Sequence, residues 1–309
     1  MKKYIKIMRL DHWIKQLFIV PGCVFAMFLT GQGLSHDILK RFILGFLATC
    51  FIASANYVIN EYLDAEFDKY HPVKKHRPAV DVGVNGKVVT ILWIILTVLG
   101  CLTALPVGNT FLFTVVWLWV MGILYNVKPI RTKDLPIIDV LSESVNNAIR
   151  LLMGWFIISA STLPPCSIIL GYWMGGAFLM GTKRYAEYRM INNPALASSY
   201  RKSFAFYTES SLLLSSFFYA MLSVFFTGIF LIKYRIELIL FIPAMIGLFI
   251  YYFHLSFKTD SAVQKPEKLF REKGLMAICA LCAVLFVLLM IVDIPWLTAF
   301  TDNTLIIIG

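Results

Sequence analysis

The chain has 309 residues, 59% of them hydrophobic and 15% charged, with a formal net charge of +10 and a mean hydropathy of +0.75. That hydropathy excludes a water-soluble globular fold, and 12 Pro and 18 Gly scattered without a repeated or low-complexity tract exclude disordered and fibrous classes. A multi-span membrane protein remains.

A spanning helix needs about 20 mostly apolar residues, and nine segments satisfy that ruler: 14–30, 38–63, 88–106, 110–126, 135–159, 165–182, 211–231, 236–257 and 274–293. The first follows a basic stretch, as in a signal peptide, but no small-residue cleavage site comes after Thr30, so a retained helix is expected. The alternation of a membrane β-barrel is absent from the sequence, and the apolar runs are too long for one. The expected fold is therefore all-α, a polytopic bundle of nine transmembrane helices forming a single integral domain over 1–309.

Of the 28 Lys and Arg, 23 fall in the segments 1–15, 69–87, 127–134, 183–203 and 258–273, against Lys40, Arg41, Lys233 and Arg235 in the alternate loops. Cytoplasmic loops are enriched in Lys and Arg, which places the N-terminus inside, the C-terminus outside and the basic loops on the cytoplasmic face. Topology and anionic lipid headgroups account for this charge, and no nucleic-acid-binding module is visible. Cys23, Cys50, Cys101, Cys166, Cys279 and Cys282 all lie in apolar runs, where thiols act as small hydrophobes and no disulfide framework is expected. The five His are scattered without transition-metal spacing.

Ionisable groups at membrane depth are costly and mark function by default. At the end of the second segment Asn60, Asp64 and Asp68 recur every four residues, turning only about 40° per step and stacking three oxygen ligands on one helix stripe. Such a stripe suits Mg²⁺, which takes one or two carboxylates and shares its shell with water and substrate phosphates. The competing reading is a solvated helix end paired to Lys69, Lys74 and Arg77. Lys183-Arg184-Tyr185-Ala186-Glu187 closes the sixth segment. It reads either as an i, i+4 Lys183–Glu187 ion pair or as a cationic clamp on a polyanion, with Arg184 forking onto phosphate. In the fifth segment Asp139, Glu143, Asn146, Asn147 and Arg150 make one polar face among Ile, Val and Leu. That face lines a cavity or cements the bundle through a Glu143/Arg150 type of network. No nucleophile–base constellation is readable.

Nine helices with an Asn-x3-Asp-x3-Asp motif after the second and a polar motif after the sixth resemble the UbiA superfamily of intramembrane transferases. In its prenyltransferase branch the later motif has the form Asp-x3-Asp, whereas Lys183-x3-Glu187 stands here. Asn60-Glu61-x2-Asp64-x3-Asp68, His71-Pro72-x-Lys74-x2-Arg77-Pro78 and the 183–187 motif are instead similar to the polyprenyl-phosphate phosphoribosyltransferases of the decaprenyl-phosphate type. The stretches Arg9-x3-Trp13-x-Lys15, Arg201-Lys202-Ser203 and Tyr207-Thr208 add to that likeness. Glu61 stands where that branch more often has Asp, about 100° off the stripe.

The resemblance implies a central cavity open to the cytoplasm and Mg²⁺-dependent transfer of 5-phosphoribose from phosphoribosyl diphosphate to a polyprenyl phosphate. Asn60, Asp64 and Asp68 would hold the metal, with Asp64, Asp68 and Glu187 catalytic. Lys15, Lys74, Arg77, Arg150, Lys183, Arg184 and Tyr185 would bind substrate; on the chemistry alone, and not from the resemblance, Arg150 is expected at the lipid phosphate and Glu187, or the Asp139/Glu143 face, at the developing sugar cation or the ribose hydroxyls. The resemblance also implies the cytoplasmic membrane of a bacterium and a product used in cell-envelope glycan synthesis. Two alternatives stand beside it: a prenyltransferase acting on an aromatic or lipid acceptor, and a non-enzymatic membrane carrier. No second Asn-x3-Asp-x3-Asp stripe occurs in the C-terminal part, which argues against a repeat-built transporter. Homo-oligomers are compatible with the apolar surface of every span.

Overall fold

The structure is a computed structural model that describes residues 2–258, 261–264, 269 and 271–300. Lys265 and Lys268, counted above with the basic loops, lie outside the described residues. Among the described residues every regular element is helical. The long segments are α1 (Lys2–Thr30), α2 (His36–Asp68), α3 (Gly86–Ala104), α4 (Asn109–Asn126), α5 (Ile138–Ile158), α6 (Cys166–Ile191), α7 (Glu209–Tyr234), α8 (Ile236–Leu255) and α9 (Lys273–Ile291). Seven of them, all but α5 and α6, are long and apolar enough to cross a membrane. The other two are long enough, but α5 carries the polar face read from the sequence and α6 ends in the Lys183–Glu187 motif. The protein is an integral membrane protein built as a helical bundle.

Local sequence explains the irregularities. α1 is interrupted by Arg9, which adopts a left-handed φ of 50°, and runs as a 3-10 helix over Leu10–Ile19 before Pro21 opens an α-helix over Val20–Thr30. Pro243 likewise follows a 3-10 start in α8 and sits where a helix tolerates its missing N–H. Ser35 caps α2 by accepting from Ile38 N, and Thr208 and Ser211 form a capping box on α7. α6 continues nine residues beyond the expected span end at 182, so Lys183–Glu187 is helical rather than the opening of a loop.

Outward faces are apolar, with Ile91, Ile95 and Leu102 on α3, Phe217 and Phe225 on α7, and Val284 and Leu288 on α9 all exposed. Inside, α6 packs along α7 and α5, α2 along α3, and α5 also against α1 and α4. The closest backbone approach is between α1 and α5. A Cβ on Gly22 would fall 2.9 Å from Leu151 C and nearer still to its oxygen, and one on Gly154 would fall 2.9 Å from Cys23 N and nearer to Ile19 O. Small residues of this kind let helices pack by van der Waals contact where lipid gives no hydrophobic drive between them.

Because backbone and not a flexible side chain stands in the way, Gly154→Ala should cost about 1–3 kcal/mol. This is expected as a lowered thermal midpoint in detergent, with Gly247→Ala, which meets nothing within 4 Å, leaving the midpoint unchanged.

Candidate active site

The polar residues of α2, α4, α5 and α6 meet at the end of the bundle that carries the basic loops. A cavity of ≈1260 Å³ lies there, lined on its polar side by Lys15, Asn60, Asp64, Lys74, Arg77, Glu143, Arg150, Lys183, Arg184 and Glu187. Its other wall is apolar, with Leu179, Met180, Leu248, Phe249 and Met276. Two expected site residues stand apart. Asp68 is buried and faces a small adjoining pocket of ≈20 Å³ that it shares with Asp64, Arg131, Lys133 and Arg201. Tyr185 lies outside the lining of either space, stacked at 5.4 Å on Phe253 with its hydroxyl 3.2 Å from Glu209 Oε1.

The Asn60–Asp64–Asp68 stripe is held by cations. Asp64 Oδ1 accepts from Arg131 at 2.9 Å and from Lys133 Nζ, and Asp68 Oδ2 accepts from Arg77 Nη1 at 2.6 Å. Asn60 donates to Asp64 Oδ2 at 3.1 Å and to Asn126 Oδ1 at 2.5 Å. Glu61, off the stripe as expected, is buried and accepts from Arg9 at 2.8 Å. The solvated-end reading therefore anticipated one pair, Arg77–Asp68, while Arg131 and Lys133 come from the 127–137 connection.

Glu187 is buried and receives Lys74 Nζ at 2.5 Å and the Tyr200 hydroxyl at 3.1 Å. His71 Nδ1 accepts from the N–H groups of Val73 and Lys74, both at 3.1 Å, which leaves the ring proton on Nε2, 3.3 Å from Glu187 Oε1. Burial lowers the His71 pKa, against the opposing attraction of Glu187. The Lys183–Glu187 pair does not form; Lys183 Nζ instead stands 4.0 Å from Glu143 Oε1.

Arg184 is enclosed. It donates to Glu143 Oε2, to the Tyr125 hydroxyl at 3.0 Å and to Asp139 Oδ2 at 3.4 Å. Asp139, fully buried, also accepts from Ser203 Oγ at 3.1 Å and from the Tyr207 hydroxyl at 2.7 Å. Arg201 Nη1 stands 3.7 Å from the same carboxylate. The network on α5 is thus Glu143/Arg184, not Glu143/Arg150, and it fastens the 200–208 segment over the site. Lys15 lines the cavity with its Nζ 3.0 Å from His12 Nδ1.

The stripe offers a divalent cation two carboxylates and an amide oxygen. Among the described residues no group of three or more His, Cys, Asp or Glu is placed to hold a metal, so an all-protein cage is absent. The ≈20 Å³ between Asp64 and Asp68 exceeds the roughly 10–15 Å³ that one water needs. Hard oxygen donors that supply only part of a shell are what Mg²⁺ accepts, and the residues fit it.

The sequence profile of the UbiA prenyltransferase family matches residues 19–276. The chain belongs to this family. It is 27% identical over 215 residues to the decaprenyl-phosphate phosphoribosyltransferase of Mycolicibacterium smegmatis, covering 67% of this chain and 63% of that protein. The corresponding protein of Corynebacterium glutamicum is 27% identical over 230 residues, 67% of this chain and 60% of that one; the chain spans less than two thirds of the length of both. A 4-hydroxybenzoate octaprenyltransferase of Dechloromonas aromatica is 36% identical over 116 residues, 37% of each chain. Among solved structures, a UbiA homologue from Archaeoglobus fulgidus bound to GPP and Mg²⁺ superposes with a TM-score of 0.70 at 19% identity, over 94% of this chain and 100% of that one. That likeness establishes the shared fold.

Several residues of this candidate site were not singled out from sequence: Asn126, Arg131, Lys133 and Tyr200; His71 and Arg201 were quoted within motifs but given no role. Most sit in loops that only the fold brings to α2, although Lys and Arg in basic loops beside a carboxylate stripe were a usable signal. Burial pulls the Lys74 pKa below the ordinary lysine value, against the opposing attraction of Glu187. Its charge is present at low pH and is lost, as pH rises, before that of a free lysine. Binding of inorganic diphosphate with Mg²⁺, titrated from pH 7 to about 10, should therefore weaken on the alkaline side in the native protein and hold to higher pH in Lys74→Arg. Identical profiles would remove Lys74 from the anion site.

Proposed function

We propose that the chain transfers 5-phosphoribose from phosphoribosyl diphosphate to a polyprenyl phosphate and releases diphosphate. It does so as one transferase unit over 1–309 of a bacterial cytoplasmic membrane, with nine spans, its N-terminus inside and the site facing the cytoplasm. The observation that carries this reading is the excess of cations at the donor end. Lys74, Arg77, Arg131, Lys133, Lys183, Arg184 and Arg201 line the two spaces there, against Asp64, Asp68, Asp134, Glu143 and Glu187. A donor with a 5-phosphate beside its diphosphate, and no apolar tail, needs such an excess. The activity named for the mycobacterial and corynebacterial relatives supports the same choice.

Asn60, Asp64 and Asp68 would hold Mg²⁺, which when bound neutralises charge on the departing diphosphate. Arg77 and Arg131, now on the aspartates, would fork onto phosphate oxygens, and Lys133 would meet them as a point charge. An acceptor phosphate oxygen forms the new bond to ribose C1 while the bond from C1 to the diphosphate oxygen breaks, its electron pair leaving with diphosphate. The acceptor is already ionised near neutral pH, so no general base is required. Glu187 lies buried among donors, where a fixed negative charge stabilises a sugar cation developing at C1. Arg184 acts through Glu143 and Asp139 as a positioning residue, and Tyr185 packs rather than binds.

A second reading, prenyl transfer to an aromatic or lipid acceptor, is favoured by the apolar cavity wall, since a prenyl diphosphate tail would fit there as well as a polyprenyl phosphate tail does. Purified protein in detergent with Mg²⁺, labelled phosphoribosyl diphosphate and a polyprenyl phosphate separates the two. A labelled lipid product is expected, abolished by EDTA and reduced about 10²- to 10³-fold in Asp68→Ala. Turnover with a prenyl diphosphate alone would give the site to prenyl transfer, and silence with both donors would leave a membrane carrier.

A further inference from the structure

The cavity reaches a second cation well below the donor end. Arg150 lies seven residues beyond Glu143 on α5, roughly 10 Å deeper along the helix axis. The other arginines lining the cavity each have a carboxylate within 4.0 Å: Arg9 with Glu61, Arg77 with Asp68, Arg184 with Glu143, and Arg201 with Asp139. Arg150 has none among the described residues. Its Nε donates to Gln16 Oε1 at 2.9 Å and its Nη1 to the Asn146 carbonyl at 3.0 Å, which leaves Nη2 without a partner among the described residues. Gln16, with 0% of its surface exposed, packs behind Arg150 rather than lining the cavity, and its Nε2 has no partner among the described residues. A guanidinium within a spanning helix that lacks a counter-ion is costly unless a ligand brings the anion. The Gly22 and Gly154 contacts press α1 onto α5 here and so fix Gln16 against Arg150.

We propose that Arg150 Nη2, its guanidinium held by Gln16 Oε1, forms a deep anion subsite for the phosphate of the acceptor, a polyprenyl phosphate whose chain runs along Leu179, Phe249, Met276 and Cys279. The identity of the acceptor rests on the phosphoribosyl-transfer reading above. Displacement at C1 requires the acceptor oxygen about 3–3.5 Å from that carbon, on the face opposite the departing diphosphate. The two phosphate groups are then held apart by the width of the sugar. A cation about two helical turns below the donor end meets this requirement, and the lipid phosphate reaches it with its chain on the apolar wall while the soluble donor stays at the loops.

The test is equilibrium binding to the full chain in detergent of three probes, geranylgeranyl phosphate, geranylgeraniol and inorganic phosphate, with Mg²⁺-phosphoribosyl diphosphate measured in parallel. In the native protein the phosphorylated lipid should bind more tightly than the alcohol or inorganic phosphate. Arg150→Gln should cut the preference over the alcohol about 10- to 100-fold and leave donor binding unchanged. Gln16→Glu gives Arg150 an internal counter-ion; it should lose the same preference while raising the thermal midpoint, which separates lost binding from lost folding. A preference that survives in both variants, or inorganic phosphate binding as tightly as the lipid, would overturn the subsite. An Arg150-dependent preference in a protein that does not bind phosphoribosyl diphosphate would uphold the subsite and overturn the donor reading instead.

Discussion

A guanidinium from α6 held between two carboxylates of α5 is the interaction on which the polar end of this bundle depends. Arg184, Glu143 and Asp139 lie within helices whose neighbours are apolar, and a charge buried there alone costs several kcal/mol. Paired and hydrogen-bonded, the three instead lock α5 to α6. Asp139 accepts from Ser203 and Tyr207 in addition, so the segment that brings Tyr200 and Arg201 over the cavity is tied to the same carboxylate. The cover of the site and its floor share one electrostatic anchor.

Above that anchor each carboxylate is held by at least one cation. Asp64 faces Arg131 and Lys133, Asp68 faces Arg77, and Glu187 faces Lys74. A phosphorylated donor arriving with a divalent cation adds both signs at once, so each carboxylate can exchange an ammonium or guanidinium for the metal while that cation turns to phosphate. The exchange keeps every buried charge compensated at little net cost. It also makes the number of basic side chains a statement about the ligand: a site with more cations than its metal-binding carboxylates require is matched to a ligand with more phosphate. Glu187 is enclosed in the same way, by His71, Lys74 and Tyr200.

The helices were legible because hydrocarbon thickness sets one length scale, and all nine apolar runs coincide with long helical segments to within a few residues except at three ends, the first being α1, which begins at Lys2, twelve residues before its apolar run. α2 and α6 continue past their apolar runs, to Asp68 and Ile191, because helical hydrogen bonding persists where hydropathy stops. The stripe of Asn60, Asp64 and Asp68 was visible because its spacing is helical and local. Pairings across the bundle were not: Lys183 goes to Glu143 instead of Glu187, Glu143 to Arg184 instead of Arg150, and Tyr185 turns to Phe253. Those choices depend on helix rotation and on loops folding back, which periodicity does not encode. Arg131, Lys133 and Arg201 reach α2 through connections of irregular backbone and leave only a basic tint in the sequence.

The central claim is that surplus positive charge at the Asp64–Asp68 end selects a triply phosphorylated, tail-less donor. Competition binding tests it most directly, with Mg²⁺-phosphoribosyl diphosphate and Mg²⁺-geranylgeranyl diphosphate titrated against each other on the full-length protein in detergent. Displacement of the prenyl diphosphate by the phosphoribosyl donor, more readily at low than at high salt, is the predicted result. Tighter retention of the prenyl diphosphate, insensitive to salt, would contradict the account and make the apolar wall rather than the cations the determinant of the donor.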